Sequence, residues 1–436
     1  MAKSGGRIGW LLLLFAAMAS SAGASESMDA AFIELHTKLD YVWVFVCATL
    51  VFLMQAGFMA LESGMSRAKN SINVAIKNMA DFLIAIGSFW VVGFGLMSGV
   101  SQGGWYGSSE FCADKTDRPW LSVFFLFQAM FCGTAATIDS GAIAERTKFA
   151  SYLLISVATS ALIYPVFGHW VWRSLYIGET KGWLEAMGFI DFAGSTVVHC
   201  VGGWIALAGV LVVGPRAGKF EGGKVRKIHP HSLPLVYLGT FILIFGWLGF
   251  NCGSTLTADN SIAAIAVNTL IAATFGGLVA AGLSWLIDGH PGADMAANGA
   301  LSGLVGITAG CASLTTPSAV IIGVIAGALF IVSSRFIEQV CKLDDVVGAI
   351  SVHGVCGVWG TIAVALLMPQ SALSEGMTRW DQVMVQCLGA GTAFLWAFGI
   401  AMLIMAGSAS DRHPSFASGG ARRAQCGRAP SHLEHA

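Results

Sequence analysis

The segment "VWVFVCATLVFLMQAGFMAL", residues 42–61, is one of eleven apolar stretches separated by short polar loops. They run approximately over 41–63, 78–100, 120–141, 148–168, 193–214, 233–252, 260–286, 297–313, 317–334, 346–368 and 384–406, with no Lys or Arg in their apolar interiors. An α-helix of about 20 residues spans the ~30 Å hydrocarbon core of a bilayer. In lipid, a backbone must satisfy its own hydrogen bonds, so runs of this length form helices. The composition agrees, with 55% hydrophobic and 11% charged residues and a mean hydropathy of +0.71. The chain is therefore expected to be an all-α polytopic membrane protein. A formal net charge of −1 offers no electrostatic basis for nucleic-acid binding. The cysteines lie mostly inside apolar runs and form no CxxC pair, so they read as small packing residues.

Two independent signals predict the orientation. Residues 1–24 combine Lys3 and Arg7, a short apolar core and Ala22-Gly23-Ala24, which reads as a cleavable signal peptide. Residues 25–40 would then start the mature chain outside the cytoplasm. The loops placed inside by that topology carry Arg67, Lys69, Lys77, Arg146, Lys148, Arg216, Lys219, Lys224, Arg226, Lys227, Arg335 and Lys342. Those placed outside carry only Lys115, Arg118, Arg173, Lys181 and Arg379, as the positive-inside rule requires.

The chain also repeats itself. "VHCVGG" at Val198–Gly203 returns as "VHGVCG" at Val352–Gly357, and "AGFMALESG" in the first helix is matched by "LGFNCGST" in the sixth. Each unit has five helices, an odd number, so the second enters the membrane from the opposite side. The expected architecture is a 5+5 inverted-topology repeat, 41–214 and 233–368, joined by a cytoplasmic loop at 215–232. An outer loop and an eleventh helix fill 369–406, and a tail covers 407–436. Sites in such folds lie between the repeats near the midplane.

His199 and His353 occupy equivalent positions, and ionisable groups inside membranes tend to face a pathway or one another. Two imidazoles in a dry site avoid charge and share a hydrogen bond. Cys200 and Cys356 offer a rival zinc reading. However, one follows its histidine by one residue and the other by three, so the repeat does not preserve the ligand set. Phe127 and Phe131 lie four apart on one helical face, as do Phe250 and Ser254 beside Trp247, while Trp170 and Trp172 belong to an outer loop. Singly these read as packing or an interfacial belt. Together they suggest an aromatic cup for a cation, with one hydroxyl acceptor above a phenyl constriction.

The ordered set "RAKN", "FQAMF", "GAIAERTKF", "DFAGSTVVH", "GWLGFNCGS" and "VHGVCGVWG" closely resembles the ammonium transporter family of Amt, Mep and Rh proteins, over nearly all of residues 28–406. The resemblance implies a homotrimer in the inner or plasma membrane with one pore per subunit, no cofactor and no enzymatic activity. It implies an outer ammonium site at Trp172, Phe127 and Ser254, a gate at Phe131 and Phe250, and pore histidines at His199 and His353. Asp191 would order the outer site from beneath. Three features depart from the family pattern. Gly348 stands where many members carry aspartate. Asp139 lies in helix three, where it is expected to reach water at the cytoplasmic end. The tail contains only two acids, Asp411 and Glu434, which weakens the case for a PII-type regulator as partner. The expected function is ammonium transport; the alternative is an ammonium receptor that binds without significant conduction.

Overall fold

The computed structural model describes residues 5–407 apart from 115, 177, 179 and 375, with residues 5–27 described in backbone only. The tail from residue 408 lies outside the described residues, as do the first four residues and the side chains of the expected leader. Eleven helices follow: α1 (Gly5–Met65), α2 (Ala68–Ser98), α3 (Pro119–Ala142), α4 (Phe149–Leu175), α5 (Ser195–Val213) and α6 (Leu233–Gly253), then α7 (Ser261–Asp288), α8 (Ala293–Thr308), α9 (Thr316–Val340), α10 (Ile350–Leu367) and α11 (Arg379–Gly407). Ten of them, counting Met28–Met65 of α1, are long and apolar enough to cross a membrane. The exception, α8, has 16 residues and packs among α6, α7, α9 and α10. Residues 25–40 are helical and lie within α1.

The inverted repeat is written into local geometry. Helices α5 and α10 both open with a π-helical turn, Ser195–Cys200 and Ile350–Val355, and each turn holds a histidine. Such turns cluster at functional sites. A glycine in the left-handed region precedes each, Gly194 at φ 112° and Gly348 at φ 81°. Glycine adopts this conformation without steric cost, so the departure at Gly348 has a backbone reason. An aspartate caps each turn. Asp191 accepts from the N–H groups of Gly194, Thr196 and Val197 at 3.0, 2.9 and 2.8 Å. Asp345 accepts from Gly348, Ala349 and Ile350 at 3.0, 3.0 and 2.7 Å. The helices touch at backbone level, because a Cβ on Gly203 would lie 2.3 Å from Gly354 N and one on Gly357 2.6 Å from Ser195 O.

Two expectations fail in α2 and α3. Lys77, assigned to an inward loop, is buried inside α2, and its Nζ donates to the Thr147 carbonyl at 2.8 Å. The helix starts earlier than hydropathy implies, and the lysine's ammonium group is met by a carbonyl of the α3–α4 loop instead of by water. Asp139 does not reach water: it is 2% exposed and neither carboxylate oxygen has a hydrogen-bond partner.

The loops on the basic face are tied by a buried charge cluster. Arg216 grips Asp344 through Nε–Oδ2 and Nη2–Oδ1 contacts of 2.9 Å each, and reaches Glu145 at 3.0 Å. Arg67 also pairs with Glu145, and Arg146 donates to the Asp344 carbonyl. The Glu145 and Asp344 side chains are fully buried. Burial alone would raise the Asp344 carboxyl, but hydrogen bonds and charge from Arg216 and Arg146 hold it below its ordinary range. Burial likewise opposes ionisation of Glu145, and Arg67 and Arg216 overcome it. The cluster's stability is therefore present above the unfolded carboxyl pKa of about 4 and fades as pH falls through the lower folded values. Asp344→Ala strands a buried guanidinium and should cost about 3–5 kcal/mol, read as a lower thermal midpoint in detergent.

Candidate functional site

Between the repeats, the side chains singled out in the sequence form one continuous line. Trp172 closes the last turn of α4, inside the helix rather than in the loop where the sequence reading put it. Its Nε1–H donates to the Asp191 carbonyl at 2.7 Å, which fixes the indole beside the α5 turn. Phe131 meets this indole edge-on with ring centroids 6.1 Å apart, and Phe127 lies 4.6 Å from Phe131. A Cβ on Gly253 would fall 2.8 Å from the Phe127 ring, so glycine there lets α6 approach Phe127 closely, one residue before Ser254. The Ser254 hydroxyl donates to the Phe250 carbonyl at 2.9 Å. Its oxygen keeps lone pairs to accept a hydrogen bond.

Beneath this group Phe131 and Phe250 stack face to face, 3.9 Å between centroids and 13° between planes. The pair closes the line unless a ring swings aside. His199 follows, 5.5 Å from the Phe250 ring and stacked at 5.0 Å on Trp247. Trp247 is held in turn by donating to Thr308 Oγ1 at 2.9 Å. His199 and His353 then face each other through their Nδ1 atoms at 3.2 Å. One Nδ1 must carry a proton and the other must not, since two N–H groups at that distance repel. His199 Nε2 is buried with no partner, which leaves it able to hydrogen-bond a guest. Phe58 lies beyond His353 at 6.3 Å.

All eight sequence-assigned residues thus converge: Trp172, Phe127 and Ser254 at one end, Phe131 and Phe250 in the middle, His199 and His353 beyond, and Asp191 under the turn. Phe58 and Trp247 also line the path and were not assigned. The signal for Phe58 was its place in "AGFMALESG", opposite Phe250 in the repeat. The thiols of the rival zinc reading donate elsewhere, Cys200 to the Gly354 carbonyl and Cys356 to that of Ala326. Among the described residues no group of three or more His, Cys, Asp or Glu gathers at metal-binding distance.

Known proteins resemble this chain over most of its length. The profile described as Ammonium Transporter Family matches residues 42–408. A relative from Synechocystis sp. is 51% identical over 375 residues, 85% of this chain and 69% of that protein. The ammonium transporter Amt2 of Archaeoglobus fulgidus is 42% identical over 410 residues, 89% of this chain and 86% of that one. A solved structure of a sensor Amt protein superimposes with a TM-score of 0.85 at 42% identity, covering 87% of this chain and 95% of its own.

Burial pushes the Asp191 carboxyl up from 3.8 to about 6, against the pull of the backbone N–H groups it accepts from. A raised acid favours folding most below its unfolded pKa and loses that contribution as pH climbs through the folded value. Relative to Asp191→Asn, the wild type should therefore lose stability between about pH 4 and pH 6 and show a flat difference above. Thermal unfolding in detergent across that range measures the slope.

Proposed function

The chain belongs to the ammonium transporter family, and on that premise we propose that it binds ammonium at its outer aromatic end, strips a proton and conducts ammonia past the two histidines. The observation that carries this reading is the stacked Phe131–Phe250 pair directly above imidazoles joined at 3.2 Å. The outer end of the path differs from its middle. Trp172 and Phe127 offer negative ring faces to a cation, and Ser254 offers an acceptor to an N–H bond. Ammonium and potassium are close in size, so a directional acceptor is what favours the ion with protons to donate.

Between that cup and the two histidines, no carboxylate among the described residues compensates a charge. Taking an ion into such surroundings costs several kcal/mol or more, which lowers the pKa of ammonium and favours proton loss. Potassium has no proton to lose and stays outside. Neutral ammonia needs a ring swing to pass the phenyl pair and then hydrogen bonds to replace water. Because the two Nδ1 atoms share one proton, one histidine keeps a bare Nε2 acceptor and the other an Nε2–H donor for the guest. Asp191 acts at a distance: it holds the α5 turn and, through its carbonyl, the Trp172 indole, without standing in the path.

In this reading the protein sits in the plasma membrane with its mature N-terminus outside and its basic loops in the cytoplasm, as three copies each with its own pore. The sensor Amt match favours a second reading in which the same outer site reports ammonium without passing it on. Proteoliposomes separate the two. A conducting protein answers an ammonium jump with current or internal alkalinisation, whereas a receptor gives neither. His199→Ala should abolish the discrimination between ammonium and potassium that the intact pore maintains, read as potassium-evoked current. Ser254→Ala removes a charge-assisted hydrogen bond of about 1.5–3 kcal/mol. It should weaken ammonium binding roughly 10- to 100-fold by calorimetry.

A further inference from the structure

The pseudo-two-fold relation that pairs His199 with His353 extends beyond the path described so far. "GFMALE" at Gly57–Glu62 aligns with "GFNCGS" at Gly249–Ser254. Phe58 is thus the counterpart of Phe250, and Glu62 the counterpart of Ser254. The rings obey the relation: Phe250 lies 5.5 Å from His199 and Phe58 lies 6.3 Å from His353. Where the outer half ends in a hydroxyl, the inner half ends in a carboxylate.

Space is present at that position. A cavity of about 20 Å³ is lined by His353, Phe58, Glu62, Val347 and Asn298 among others, room for roughly one guest the size of water or ammonia. Val347 and Asn298 also line a vestibule of about 510 Å³ among the basic loops, so the small cavity is the step between histidine and vestibule. Glu62 is 1% exposed. Its Oε2 accepts from Asn78 Nδ2 and Ser140 Oγ, both at 2.8 Å, and neither donor is charged. Lys77 directs its Nζ to the Thr147 carbonyl, and Asp81 is engaged by Tyr152 and Thr137. Asp139, the other nearby carboxylate, does not line the cavity. No cation is paired with Glu62 among the described residues, although a buried carboxylate ordinarily has one.

We propose that Glu62 is an inner station for the transported species, where ammonia leaving His353 becomes ammonium. This rests on the conduction reading above. The carboxyl O–H bond breaks and an N–H bond forms, giving a carboxylate–ammonium pair at the cavity mouth. The vestibule hydrates and releases the ammonium, and a solvent hydronium returns a proton to the carboxylate. In the reverse direction, the Glu62 carboxylate receives ammonium from the cytoplasm as Ser254 receives it from outside.

The test is directional. In right-side-out and inside-out membrane vesicles, ammonium-evoked current and pH change give an apparent KM for each face. Glu62→Gln keeps an oxygen acceptor for Asn78 and Ser140. It should raise the KM at the cytoplasmic face at least about tenfold and leave the outer value within about twofold. Equal changes at both faces, or none, would mean that Glu62 only packs the helices, and would overturn the proposal. Wild-type vesicles that respond from neither side would overturn the conduction reading and this inference with it. A measurement on the unsubstituted protein guards against a misfolded variant. Ammonium should convert a carboxyl infrared band to carboxylate, and Ser140→Ala, which removes a donor to that group, should shift the band. A spectrum without it rules the station out.

Discussion

A polar group in hydrocarbon has to find its partner inside the protein, and the contact between His199 and His353 is where that requirement is met most tightly. Each ring arrives from a different repeat, on a π-helical turn that starts after a left-handed glycine and is pinned by an aspartate eight residues upstream. Each half supplies the hydrogen-bond partner for the other's Nδ1. The close approaches at Gly203 and Gly357 bring the two helices near enough for the bond to form. The aromatic stack, the outer cup and the inner cavity are arranged along the line this contact defines.

Charge is distributed accordingly. The ion pairs of Arg216, Glu145 and Asp344 lie with the basic loops, away from the line, where they tie the two repeats together. Asp191 and Asp345 spend their carboxylates on backbone N–H groups and shape turns. Among the described residues, the path between Phe131 and His353 carries no carboxylate and no lysine or arginine. In the proposed mechanism a cation is accommodated at the outer aromatic end and not in the middle, and that contrast is what proton removal would exploit.

Much of this was legible in the sequence because the constraints are local or repeated. Hydropathy marks the spans, the odd helix number inverts the second unit, and the doubled V-H phrase locates the histidines. Other features depend on tertiary partners. Lys77 looked like a loop residue because no local signal announces that a carbonyl of the α3–α4 loop will receive its ammonium group. Asp139 looked water-accessible because sequence gives no depth. Trp247 escaped assignment as a lining residue because stacking on His199 requires α5 and α6 to be brought together. Phe58 was visible in the repeated phrase, but its meaning depends on the rotation that places it under His353.

The bond between the two imidazoles is the point on which the account turns, and nitrogen-15 NMR of histidine-labelled protein in lipid reads it directly. One Nδ1 should appear protonated and the other bare, with a scalar coupling transmitted across the hydrogen bond between His199 and His353. Two independent rings with no coupling, or two fully protonated imidazoliums at neutral pH, would contradict it.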